Sequence, residues 1–125
     1  MKKNDFGKKN FTRALTKLDQ FLSEPTTTEK EQAGIIQAFE FCFETAWKAL
    51  QKRALHEKLS VASPRKAFEY ALQAGLILPT EESQWAQMLE DRNLTTHTYE
   101  ETLAKLIADR VPAYRNLMHS LLKKL

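Results

Sequence analysis

The sequence predicts an all-α protein, an antiparallel up-and-down bundle of four or five helices forming a single domain over residues 1–125. Three observations predict it. Apolar residues recur at spacings of three and four along most of the chain, the period of a helix that buries one stripe. Helix-start signals stand between those runs, at Thr28 with Glu31, at Ser63 with Pro64 and at Thr98 with Glu101. No segment alternates at the strand period of two, and no internal repeat or low-complexity tract is present. A chain of 125 residues can bury one substantial core and is too short to expect two.

The first helix is expected from Phe6 to Ser23, with Phe11, Ala14, Leu15, Leu18, Phe21 and Leu22 on its buried stripe. Pro25 and three threonines end it. Thr28-Glu29-Lys30-Glu31 fits a capping box, so a second helix starts near Glu29 and can run to about Lys58. Its apolar residues cover more than one face, which implies neighbours on several sides. Glu40, Glu44 and Lys48 nevertheless repeat every four residues as a polar line, with Glu44 and Lys48 in the favourable order for an ion pair. Such a line is either a solvated strip or a surface facing a partner or a cleft, and periodicity leaves both open.

Ser63-Pro64 opens a short helix whose buried edge is Phe68, Ala71 and Leu72, with Gly75 as its left-handed cap. Thr80 is the expected cap of the next helix, and Trp85, Met88 and Leu89 form its apolar face. Thr98-Tyr99-Glu100-Glu101 reads as a second capping box, which starts the last helix at Thr98. That helix carries Leu103, Leu106, Ile107, Val111, Tyr114, Leu117, Met118, Leu121 and Leu122 inward, with a kink expected at Pro112.

Composition bounds the function loosely. A formal charge of +3 is too weak to mark a nucleic-acid binder and would not oppose one. The single cysteine, Cys42 between Phe41 and Phe43, reads as a buried inert thiol and excludes an internal disulfide. Met1-Lys2-Lys3-Asn4-Asp5 leads into polar residues rather than an apolar stretch, and no membrane-length apolar run occurs, so a cytoplasmic protein away from the membrane is expected. Histidines at positions 56, 97 and 119 give no zinc spacing, and three isolated glycines give no phosphate loop; neither metal nor cofactor is expected.

Asp91-Arg92-Asn93-Leu94-Thr95-Thr96-His97-Thr98-Tyr99 concentrates a cation, an amide, an imidazole and a phenol in nine residues. On an unbroken helix Asn93 and His97 would share a face, with Arg92 roughly 140° around the axis from His97. A break at Thr95-Thr96 would let the three converge. Imidazole exchanges protons near neutral pH and guanidinium binds phosphate oxygens in pairs, a combination suited to RNA cleavage through the 2′-hydroxyl without a metal. The same residues also suit a plain helix junction, with Arg92 or His97 capping carbonyls or pairing with a carboxylate such as Asp91.

This stretch fits an Arg-x4-His-x-Tyr motif with asparagine after the arginine. Phe41-x-x-Glu44-x-x-Trp47-Lys48, Ser63-Pro64-Arg65-x-x-Phe68, Gly75-Leu76-Ile77 and Trp85-x-x-Met88-Leu89 precede it in order. Together they resemble the HEPN superfamily, specifically the small nucleotidyltransferase substrate-binding proteins and their HepT-like toxin relatives. The resemblance covers nearly the whole chain. It implies a helical homodimer paired with a small nucleotidyltransferase encoded nearby, acting on RNA or a nucleotide.

Two activities follow from the resemblance. In the first, Arg92, Asn93 and His97 form a metal-independent ribonuclease site of a toxin, neutralised when the partner transfers AMP to Tyr99. A symmetric dimer would then supply two His97 side chains, one as base and one as acid. In the alternative, the chain is a non-catalytic substrate-binding subunit of the nucleotidyltransferase complex.

Overall fold

The computed structural model describes residues 5–125, and the reading of Met1 to Asn4 lies outside them. Five α-helices follow one another: α1 (Lys8–Leu22), α2 (Glu29–His56), α3 (Pro64–Gln73), α4 (Glu82–Asn93) and α5 (Glu101–Lys124). Short 3-10 turns precede α4 (Pro79–Glu81) and α5 (Thr95–His97), and no strand occurs among the described residues. The expected antiparallel bundle is thus what forms. No helix in it is long and apolar enough to cross a membrane.

Helix α2 is the axis, packing against α1, α3 and α5. That is why its apolar residues spread around it. Phe39, Cys42, Phe43, Ala46 and Leu50 are fully buried, and they meet Phe11, Leu15 and Leu18 of α1 and Val111, Met118 and Leu121 of α5 in one core. Its start follows the capping signal. The Glu31 N–H donates to the Thr28 hydroxyl and the Thr28 N–H donates to the Glu31 carboxylate, both at 3.1 Å. Bonds from the Thr27 backbone and hydroxyl, and then from Thr28, hold the Glu31 carboxyl below its usual range.

Helix α3 begins as the sequence predicts, with the Ser63 hydroxyl accepting from the Lys66 N–H at 3.2 Å and Pro64 in the first position. It ends in a Schellman motif. Gly75 has φ 78, while the Leu76 N–H donates to the Ala71 carbonyl at 2.8 Å. Helix α2 ends in the same way at His56, two residues earlier than expected. Lys58 takes the left-handed position there, with φ 67.

Several expectations need correction. Thr80 does not cap α4; the turn before that helix closes when the Glu81 carboxylate accepts the Leu78 N–H at 3.0 Å. The capping box at Thr98 does not form, because the Thr98 hydroxyl is already committed to the Thr95 carbonyl at 2.9 Å, and α5 begins only at Glu101. Phe21 and Leu106, expected inside, are 42% and 44% exposed, and Phe41 beside Cys42 is 56% exposed. A helix buries a limited arc, and these three lie at its edges or beyond. Pro112 lies inside α5 on its exposed side, where water can serve the carbonyl its ring leaves unbonded.

Two polar clusters tie helices together. Asp91 of α4, only 2% exposed, accepts two bonds from Arg110 at 3.0 and 3.1 Å and one from the Tyr114 hydroxyl at 2.5 Å. Asp19 of α1 accepts from Arg115 Nε at 2.6 Å and lies 2.9 Å from His119 Nε2, clasping α1 to α5.

Candidate functional site

The polar line of α2 and the C-terminal end of α4 face each other. Glu40, Phe41 and Glu44 form one wall of an open cleft of about 410 Å³, and Arg92, Asn93, Thr95 and Thr96 form the other. Glu40 and Glu44 of that line border the cleft. Lys48 stands outside the lining, 3.9 Å from Glu44, as an exposed rim charge.

Each wall is braced by the other. Arg92 Nη2 donates to Glu44 Oε1 at 2.8 Å, a bond between residues 48 positions apart. Glu44 also accepts from the Trp47 indole N–H at 3.1 Å, so its carboxylate is oriented on both sides. The Arg92 guanidinium lies 5.4 Å from the centre of the Phe43 ring, a distance at which the ring face attracts a cation. The Thr95 hydroxyl donates to Glu40 at 2.5 Å and lies 2.7 Å from the Arg92 carbonyl. Thus one bond to Glu40 holds the turn and another to Glu44 holds the arginine.

Asp91 explains why Arg92 is available to the cleft. Its burial against Arg110 and Tyr114 fixes the rotation of α4 about its axis, and the next residue is turned about 100° away. Asp91 and Arg92 do not pair with each other; each pairs across helices, with Arg110 and Glu44 respectively. Burial, and then the bond to Asp91, pushes the Tyr114 phenol above its usual value, so it remains a donor.

The chain breaks from helix into a 3-10 turn at Thr95–His97. Arg92 and Asn93 line the cleft, while His97 does not. His97 is exposed and instead neighbours Tyr99, with Nδ1 3.5 Å from the phenol oxygen and the rings 6.0 Å apart edge to face. Tyr99 is 76% exposed and borders a different hollow, with Gln32 and Glu101. Four groups adjacent in sequence are therefore two pairs in space.

Charge in the cleft opposes a simple phosphate site. Two carboxylates face one guanidinium, and that guanidinium is already bonded. What remains for a ligand is the lone pairs of Glu40 and Glu44, the Asn93 amide and the Thr96 hydroxyl, groups that suit hydroxyl and amine donors. Among the described residues no group of three or more His, Cys, Asp or Glu side chains could hold a metal ion. The sequence did not single out Phe41, Thr95 or Thr96 as cleft residues. The four-residue spacing from Glu40 to Glu44 was the one signal pointing there, and it needed the opposite wall to be read.

Three comparisons with known proteins bear on this geometry. No curated protein matches the sequence. A solved structure from Thermus thermophilus is 36% identical, with a TM-score of 0.85, and the match covers 91% of this chain and 97% of that one. A Haemophilus influenzae protein, whose structure is described as revealing the fold of a substrate binding domain of a nucleotidyltransferase, is 24% identical with a TM-score of 0.65. That match covers 96% of this chain and 94% of that one, and it speaks for the fold alone. The profile of a family described as nucleotidyltransferase substrate binding protein like matches residues 7–125. Helices, cleft and motif all lie within that span, and this chain belongs to the nucleotidyltransferase substrate binding protein-like family.

Proposed function

We propose that this protein is the non-catalytic, substrate-binding subunit of a two-protein nucleotidyltransferase, presenting an acceptor molecule to a separate small catalytic partner. The observation that carries this reading is the 2.8 Å bond from Arg92 to Glu44. It neutralises the one guanidinium that lines the cleft among the described residues and leaves a surface of carboxylate, amide and hydroxyl groups. Such a surface favours a ligand rich in hydroxyls or amines over a polyanion, and an acceptor of a nucleotidyl group must itself offer a hydroxyl or amine.

The test mixes this protein with its nucleotidyltransferase, ATP and a panel of aminated and hydroxylated acceptors. Transfer should require this subunit, and Glu44→Ala should lower it at least about tenfold, the loss of one charged hydrogen bond. Undiminished transfer without the subunit overturns the reading.

A second reading is favoured by the exposed His97–Tyr99 pair just beyond the cleft. In the HEPN toxin reading, a homodimer brings two His97 imidazoles together as base and acid, and Arg92 leaves Glu44 to bind the scissile phosphate beside Asn93. The Tyr99 oxygen then attacks the α-phosphorus of ATP on the partner enzyme, releasing pyrophosphate and silencing the nuclease. Purified protein incubated with RNA in EDTA separates the readings. The leading reading expects no cleavage from wild type or His97→Ala; cleavage by wild type alone would install the nuclease in its place. An AMP adduct on Tyr99 by mass spectrometry would support the switch.

A further inference from the structure

Helices α1 and α2 pack side by side, and the outer face they share carries charge of one sign. Along α1, Lys9, Arg13 and Lys17 follow one another every four residues, about 6 Å apart along the axis, and all three are exposed. Phe21 continues the spacing, and its ring is 42% exposed. Along α2, Phe41, Lys48 and Lys52 lie within about 40° of the line through Gly34. These three are exposed as well, Phe41 by 56%.

Two contacts set both rows along one seam. The Phe21 ring lies over Gly34, so close that a Cβ there would stand 3.6 Å from it. Lys52 Nζ lies beside Gly7, just before α1, where a Cβ would stand 3.4 Å away. Gly34 and Lys52 are separated by about five full turns, so one side of α2 borders α1 along its whole length. Lys9, Arg13, Lys17 and Lys52 form no ion pair among the described residues, and Lys48 reaches only Glu44, at 3.9 Å, whose nearer partner is Arg92. The whole chain has a formal charge of +3, so these five cations leave the rest of the molecule net acidic. A field divided in this way draws a polyanion to one face.

We infer that the outer face of α1 and α2 binds single-stranded nucleic acid without regard to sequence, with phosphates along the cations and bases on Phe21 and Phe41. An evenly stepped row of unpaired cations suits a ligand whose charges recur along a chain. Exposed rings among those cations suit unpaired bases, since every base has a face that stacks. Other polyanions fit less well. A duplex keeps its base faces covered, while polyphosphate and acidic peptide offer charge without flat rings. The inference stands apart from the proposed function, because it requires neither the partner enzyme nor any group of the Arg92 cleft except Phe41 at its border.

Fluorescein-labelled oligothymidylate of about 15 nucleotides, a length one small domain can cover, should bind the protein in anisotropy titrations. At low salt the Kd should be about 10 μM, in the range of sequence-independent binding. Oligouridylate should bind alike, and duplex DNA, polyphosphate and polyglutamate more weakly. The slope of log K against log salt should be about −3, from five cations at about 0.7 each. Arg13→Gln with Lys17→Gln should weaken binding at least about tenfold and flatten the slope by about 1. Lys66→Gln with Lys105→Gln removes the same charge from α3 and α5, and should leave the affinity within about twofold. Phe41→Ala should weaken binding at least about fivefold with the slope unchanged, because the ring stacks and carries no charge. No saturable binding, equal losses in the two double variants, an unaffected Phe41→Ala, or any competitor bound as tightly as the oligonucleotides each overturns the assignment. Polyglutamate bound as tightly would make the face a dock for an acidic protein instead.

Discussion

Asp91 and Arg92 are consecutive residues, and each meets an opposite charge on another helix, but the two contacts belong to different parts of the protein. Asp91 points into the bundle and is 2% exposed, with Arg110 and Tyr114 occupying its oxygens. Arg92 points into an open cleft, and its side chain and that of Glu44 remain 35% and 36% exposed. The bond types are alike. What differs is the medium around the acid, and with it the consequence of losing a partner. Without Asp91 the buried Tyr114 hydroxyl is stranded and Arg110, 33% exposed, recovers only part of its hydration, while in the cleft either survivor is rehydrated.

The largest expected effect therefore comes from Asp91→Ala. It leaves Arg110 and the Tyr114 hydroxyl without their shared acceptor and should destabilise the fold by about 2–4 kcal/mol in urea unfolding, because Arg110 can recover some hydration. A loss below that of an ordinary surface change would break the comparison. Tyr114→Phe removes one bond and leaves the Arg110 pair, and should cost about 1–2 kcal/mol by the same measurement.

Glu44→Gln tests the other side. Its stability change should stay below about 1 kcal/mol, yet it frees Arg92, so the affinity of the cleft for phosphate should rise several-fold in calorimetry. An unchanged affinity would mean that the pairing does not control the charge of the cleft. The smallest effect sharpens the scale with an intermediate case. Burial raises the Asp19 carboxyl, but bonds from Arg115 and His119 outweigh it and bring the group below its ordinary 3.8. A lowered folded value means that the clasp's contribution is complete above about pH 4 and is lost as pH falls through the folded value. Asp19→Asn should therefore flatten the acid side of the stability profile while leaving the Asp91 network intact.

The parts of this fold that could be read from sequence are those set by neighbours in the chain. Thr28 with Glu31 and Ser63 with Pro64 act across one turn, and both formed as read. Thr98 with Glu101 had the same spelling and failed, because a nearer carbonyl at Thr95 took the hydroxyl once the 3-10 turn had formed. The candidate site divides in the same way. Arg92, Asn93, His97 and Tyr99 stand out by chemistry, but their sorting into a cleft pair and a surface pair depends on how Asp91 turns α4. That in turn depends on Arg110 and Tyr114, 19 and 23 residues later. Nothing local encodes it. The meeting of Glu44 with Arg92 requires the packed bundle.

The thiol at the centre of α2 offers a practical use for the tightness of this core. Cys42 is fully buried, and desolvation, with a smaller contribution from the Asp19 charge, pushes it up to about 12. Alkylating reagents attack only the thiolate and must reach the sulfur. In the closed bundle both requirements fail at neutral pH, so each labelled molecule records a moment when α2 parted from its neighbours. The chain thus carries a single-site stopwatch for its own opening, readable by mass without adding a probe.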